Sequence, residues 1–185
     1  MGGFRFLEST EICSPLTGCS AYLDLPENFH YIGVVRINKT HIFILPNKVG
    51  EAWIFNQKDE TFRKLPDMLE HRMDGMVGFT KKNEIVVAGG TDSKTSEIFN
   101  LDTMKWRMGP DFPVITDLYG ARAVQYQDSF LIVSGYDRGG RGTYLTSILK
   151  FDHVNYEWIA LPSKLQKGRS LFAAFLIPDD YISCS

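Results

Sequence analysis

Apolar residues in this chain come in short runs separated by polar turns, and no helical period persists anywhere. The pattern is plainest from Met76 onward. Met76-Val-Gly-Phe79 reads as a strand, Lys81-Lys82-Asn83 as a polar turn, and Ile85-Val-Val-Ala88 as a second strand. Its consecutive apolar positions predict burial on both faces, since a half-buried strand would alternate. Gly89-Gly90 ends it at a sharp turn of the backbone. Ser96-Glu-Ile-Phe-Asn100 makes a third strand and Trp106-Arg-Met-Gly109 a fourth, stopped by Pro110, which has no N–H to continue a ladder.

The same succession recurs on both sides. Upstream, Ile32 to Arg36, Ile42 to Leu45 and Trp53 to Phe55 follow it; downstream, Ala123 to Tyr126, Phe130 to Val133 and Leu145 to Phe151 do. Three octets join third to fourth strands: Phe55-Asn-Gln-Lys-Asp-Glu-Thr-Phe62, Phe99-Asn-Leu-Asp-Thr-Met-Lys-Trp106 and Phe151-Asp-His-Val-Asn-Tyr-Glu-Trp158. Each opens with Phe and Asn or Asp, closes on a large aromatic, and is followed four residues later by Pro66, Pro110 or Pro162. Self-similarity at spacings of 44 and then 52 residues marks a repeat architecture. Four short antiparallel strands per unit in an all-β chain describe a β-propeller blade.

The ends carry partial units. Met1-Gly2-Gly3 reads as the tail of a second strand, Glu11-Ile12 as a third, and Tyr22 to Pro26 repeats the aromatic-to-proline step. Arg169 to Leu176 reads as a first strand, Pro178-Asp179-Asp180 as its turn, and Tyr181-Ile182 as the start of a second. The expected organisation is one propeller region over 1–185: a half-blade at 1–26, blades at 27–66, 67–112 and 113–162, and a half-blade at 163–185. An open arc would expose apolar faces and unpaired strand edges. The complementary halves could close a ring of four, but the preferred expectation is a portion of a larger propeller.

Composition narrows the role. A net charge of -2 argues against a nucleic-acid surface built on bulk positive charge. The longest apolar run, Leu171 to Pro178, is far too short for a helix that spans a bilayer, so no membrane partner is expected. Three cysteines, Cys13, Cys19 and Cys184, without framework spacing predict reduced thiols and a cytoplasmic location; a Cys13–Cys19 bridge is the alternative for an exported chain. His30, His41, His71 and His153 show no metal-ligand spacing, and no nucleophile elbow, phosphate loop or dinucleotide fingerprint occurs. No catalytic residue, cofactor or metal is predicted.

The repeats resemble kelch repeats, whose marks are a double glycine after the second strand and a Tyr/Phe-Asp…Trp octet. Gly89-Gly90, Phe99-Asn100 and Trp106 fit well. Phe151-Asp152 and Trp158 fit the octet, while Gly135-Tyr136 keeps one glycine, and Leu45-Pro46 and Phe62 depart from the pattern. The resemblance implies a propeller that serves as a protein-interaction module. In the kelch-like family such a propeller recruits substrates to a cullin-type ubiquitin ligase, and other members bind actin. Sugar-acting kelch-type enzymes need a copper site of His and Tyr or converging polar groups, and neither is visible, so the expectation is a non-enzyme.

One segment exceeds what the architecture needs. Gly135-Tyr-Asp-Arg-Gly-Gly-Arg-Gly-Thr-Tyr144 is longer than its counterparts and places arginines and tyrosines on a glycine-rich loop, a composition suited to an acidic or phosphorylated peptide. In propellers such loops share one face with the connections between blades. The resemblance therefore suggests a partner-binding rim of Arg72, Tyr119, Arg122, Tyr136, Arg138, Arg141 and Tyr144.

Overall fold

A computed structural model describes residues 8–29, 33–47, 50–90, 93–113, 118–139 and 142–177. The chain is all-β, forms several antiparallel sheets, and has no helix among these residues. It divides into two compact units, Met1–Met73 and Asp74–Ser185.

The first unit opens with a hairpin of β1 (Glu11–Ser14) and β2 (Gly18–Ala21). A four-stranded sheet follows, with β3 (Gly33–Arg36), β4 (His41–Leu45), β5 (Trp53–Asn56) and β6 (Thr61–Lys64) in sequential order. Its core gathers Leu25, Phe29, Ile44, Trp53 and Phe55.

In the second unit, β7 (Met76–Thr80), β8 (Glu84–Ala88), β9 (Ser96–Asn100) and β10 (Lys105–Met108) form another sequential sheet. The run predicted to be buried on both faces is β8, buried at every position. Seven further strands follow: β11 (Leu118–Tyr119), β12 (Arg122–Tyr126), β13 (Ser129–Val133), β14 (Tyr136–Asp137), β15 (Thr143–Tyr144), β16 (Ile148–Asp152) and β17 (Glu157–Ala160). Strands β12, β13, β16 and β17 make a third four-stranded sheet, while β11, β14 and β15 make a small separate one. Val86, Ile98, Phe112, Phe130, Ile132 and Phe151 belong to one buried cluster of this unit.

The octets have a physical reading. Their opening and closing aromatics are cross-strand partners, Phe55 with Phe62, Phe99 with Trp106 and Phe151 with Trp158, and the ring centroids lie 4.6, 4.9 and 5.0 Å apart. The second position shapes the turn. Asn56 Oδ1 accepts from Lys58 N–H at 2.9 Å, Asn100 Oδ1 from Thr103 N–H at 2.8 Å, and Asp152 Oδ1 from Val154 N–H at 2.8 Å. Short polar side chains of this kind mimic a backbone turn. Just before each proline, Leu65, Gly109 and Leu161 donate the last cross-strand N–H, to Ala52, Ser96 and Ile148.

Three expectations are corrected. Cys13 and Cys19 are not free thiols but a disulfide, because the Pro15–Thr17 turn sets them directly opposite each other in the hairpin. Cys184 lies outside the described residues, as do Met1 to Gly3 and the expected turn and strand at 178–182. Arg169 to Leu176 is not a strand: Leu171 N–H donates to the Gly120 carbonyl, and no strand runs beside the segment among the described residues. The third strand expected from Leu145 begins only at Ile148, since the chain first passes through β15.

Candidate functional site

The long loop of the third repeat is built as a hairpin that stands apart from the sheet it interrupts. After β13, Ser134 and Gly135 both take the left-handed backbone, with φ of 55° and 123°. This turns the chain away from the sheet before it can enter β16. Gly135 is required there, because a Cβ would lie 2.5 Å from the buried Leu118 side chain.

Strand β14 then pairs with β11 on one side and β15 on the other, in a register that sets Tyr119 opposite Tyr136 and Tyr136 opposite Tyr144. Directly opposed residues share a face, so the three tyrosines form one row across three strands. Leu118 and Asp137, at the alternate positions, are buried. The Tyr136 and Tyr144 rings lie 4.9 Å apart, and Tyr144 is 58% exposed. The Arg138 guanidinium lies 3.6 Å from the centroid of the Tyr119 ring, stacked at the other end of the row.

The structure thus brings Tyr119, Tyr136, Arg138 and Tyr144 together. Arg122 is exposed on the neighbouring sheet, where its Nη1 donates to the Ala121 carbonyl at 2.8 Å, and it is not drawn into the row. Arg72 belongs to the first unit and is fully buried, with its Nη2 3.1 Å from Glu70 Oε2, so it is not the exposed partner-facing side chain expected. Arg141 lies outside the described residues.

Lys167 and Arg169 were missed by the sequence reading. Both are exposed on a segment that passes close to the hairpin. Arg169 N–H donates to Ser134 Oγ at 3.0 Å, and the Gly135 N–H donates to the Arg169 carbonyl at 2.9 Å. Between them Gly168 lies against the backbone of β15, where a Cβ would come within 2.3 Å of the Tyr144 carbonyl oxygen. The flanking bases around that glycine were the available signal, hidden by assigning Arg169 to a strand. The arrangement is an aromatic row with the Arg138 guanidinium stacked on one end, suited to a chain segment that offers both apolar contact and negative charge. Among the described residues no three His, Cys, Asp or Glu side chains come close enough to hold a metal ion. No helix there is long and apolar enough to cross a membrane.

No protein-family model matches this chain, and no curated protein is similar to it in sequence. Solved structures do match. One, titled "Structure of YjhT", is similar over 82% of this chain with a TM-score of 0.65 at 13% sequence identity. That likeness is one of fold. The chain spans 58% of the YjhT chain's length.

Proposed function

We propose that this chain is a protein-interaction module, a portion of a kelch-type β-propeller whose second-unit hairpin docks an acidic or phosphorylated peptide. The observation that carries the reading is the in-register row of Tyr119, Tyr136 and Tyr144 with Arg138 stacked at its end. Three four-stranded antiparallel sheets, two of them sequential and the third interrupted by the β14–β15 hairpin, with octets that close each one in the same manner, support the propeller architecture.

Tyrosines supply rigid contact area at low entropic cost, and a guanidinium can donate two parallel N–H bonds to a carboxylate or phosphate. In this reading the propeller holds a substrate protein for a cullin-type ubiquitin ligase, through other parts of the assembly. The test is capture of acidic and phosphorylated peptides by the intact chain, against neutral peptides of the same length. Arg138→Glu is expected to weaken capture by about ten- to a hundredfold, the loss of one charge-assisted contact. Tyr144→Ala should weaken it further, while the thermal midpoint holds. Equal capture by wild type and the double variant rejects the row as the docking surface.

A further inference from the structure

The β1–β2 hairpin is held by its own short ladder and one covalent link across it. Cys13 and Cys19 are opposed across it, their Cα atoms 4.0 Å apart, and both are exposed. Its strands pair with each other and with no third strand among the described residues. Its larger apolar side chains face solvent, with Ile12 54% and Leu16 94% exposed, so burial contributes little to holding it. At its base Tyr22 N–H donates to the Thr10 carbonyl and Leu25 N–H to that of Glu8, which fixes where the hairpin springs from but not its arms. A two-stranded hairpin of this kind is marginal in water by itself. A solvent-exposed disulfide is also open to attack by a thiolate.

We propose that Cys13 and Cys19 form a reversible thiol–disulfide switch addressed by small monothiols of the glutathione class, ordering residues 11–21 when oxidised and releasing them when reduced. The thiolate of one monothiol attacks the Sγ of either cysteine. The protein S–S bond breaks, a mixed disulfide forms, and the other cysteine leaves as a thiolate that takes up a proton. A second monothiol attacks the small-molecule sulfur of the mixed disulfide and frees the remaining protein thiol. Two electrons pass to the protein, and two monothiols become one small-molecule disulfide; the reverse sequence closes the bridge. The switch requires nothing of the tyrosine row and stands or falls independently of it.

The experiment equilibrates the full chain in glutathione buffers graded from oxidised to reduced, traps free thiols with a maleimide under native conditions, and maps the label by peptide mass, which separates Cys13 and Cys19 from Cys184. Hydrogen exchange is followed in parallel, with Cys13→Ser/Cys19→Ser as a permanently open reference. Cys13 and Cys19 are expected to pass together from unlabelled to labelled across the series. Amides of 11–21 should exchange about tenfold faster or more in the reduced chain and in the double variant, while those of β4 and β5 keep their protection. A bridge that stays unlabelled in the most reducing buffer, thiols that label in every buffer, or unchanged exchange of 11–21 on opening would each overturn the proposal.

Discussion

Asp152 shows how a single position in the octet acts. The Val154 N–H, aided by Asn155, holds its carboxyl below the ordinary carboxylate range. A group whose folded pKa is depressed contributes stability that is present above its unfolded value of about 3.8 and is lost as pH falls through the folded one. Protonation should therefore loosen the β16–β17 turn in acid. Asp152→Asn is expected to keep the turn, because Asn56 and Asn100 do the same work elsewhere, and to remove this residue's share of the acid loss. Denaturant midpoints of variant and wild type between neutral and strongly acidic pH measure it; identical pH slopes would contradict the assignment. Gly78 is a second case. A Cβ there would lie 2.1 Å from the ring of Phe130, which is fully buried and packed edge to face with Trp158. Gly78→Ala should cost about 1–3 kcal/mol of stability by overpacking, read as a lowered denaturant midpoint with an unchanged slope. The octet residues were legible because their roles are local: a side chain capping its own turn, a ring meeting its partner across one hairpin. Gly78 was not, since its constraint comes from a residue on another sheet.

At the level of elements, two sheets of the second unit are joined by a polar cluster as well as by their core. Tyr156, in the β16–β17 turn, places its hydroxyl 3.3 and 3.1 Å from the two oxygens of Glu84 on β8. Arg107 on β10 donates to Glu84 at 3.0 Å and lies over the Tyr156 ring at 4.4 Å, and Lys82 covers that ring at 4.3 Å. The Glu84 side chain is 5% exposed, so losing a donor leaves part of a buried carboxylate unsatisfied. Tyr156→Phe is expected to destabilise the unit by about 1–2 kcal/mol while keeping the ring's packing. In a double-mutant cycle with Arg107→Ala the two losses should not add, because both act on one carboxylate; strict additivity would argue against a shared cluster. The strands were largely readable from the chain. Runs predicted at 76–79, 85–88 and 96–100 correspond to β7, β8 and β9, where apolar periodicity and local turn chemistry agree. The departures came where partners are distant. Tyr144 was foreseen as a loop residue, but its place in a row depends on β14 and β11, and Arg169 is tied to Ser134 and Gly135 by hydrogen bonds that no local pattern announces.

For the molecule as a whole, the segment after Gly168 is the test of the propeller architecture. The repeat pattern predicted a first strand at 169–176, but strands exist in pairs. Without a paired strand among the described residues, the segment leaves Leu171, Phe175, Leu176 and Ile177 exposed, Phe175 by 75%. Contiguous exposed apolar side chains of this kind drive association. The 185-residue chain by itself is therefore expected to self-associate with rising concentration, giving an average mass above 21.0 kDa in sedimentation equilibrium. Phe175→Glu with Leu176→Lys should restore the monomer mass, and neither side chain is packed in the core, so the thermal midpoint should hold. If the wild-type chain is monomeric at every concentration, these side chains are covered by something within the chain itself. The double variant would then lower the midpoint, as replacing buried apolar groups by charges does. The two outcomes differ in sign on both measurements, so one pair of proteins decides whether this run is an open surface or part of a completed sheet.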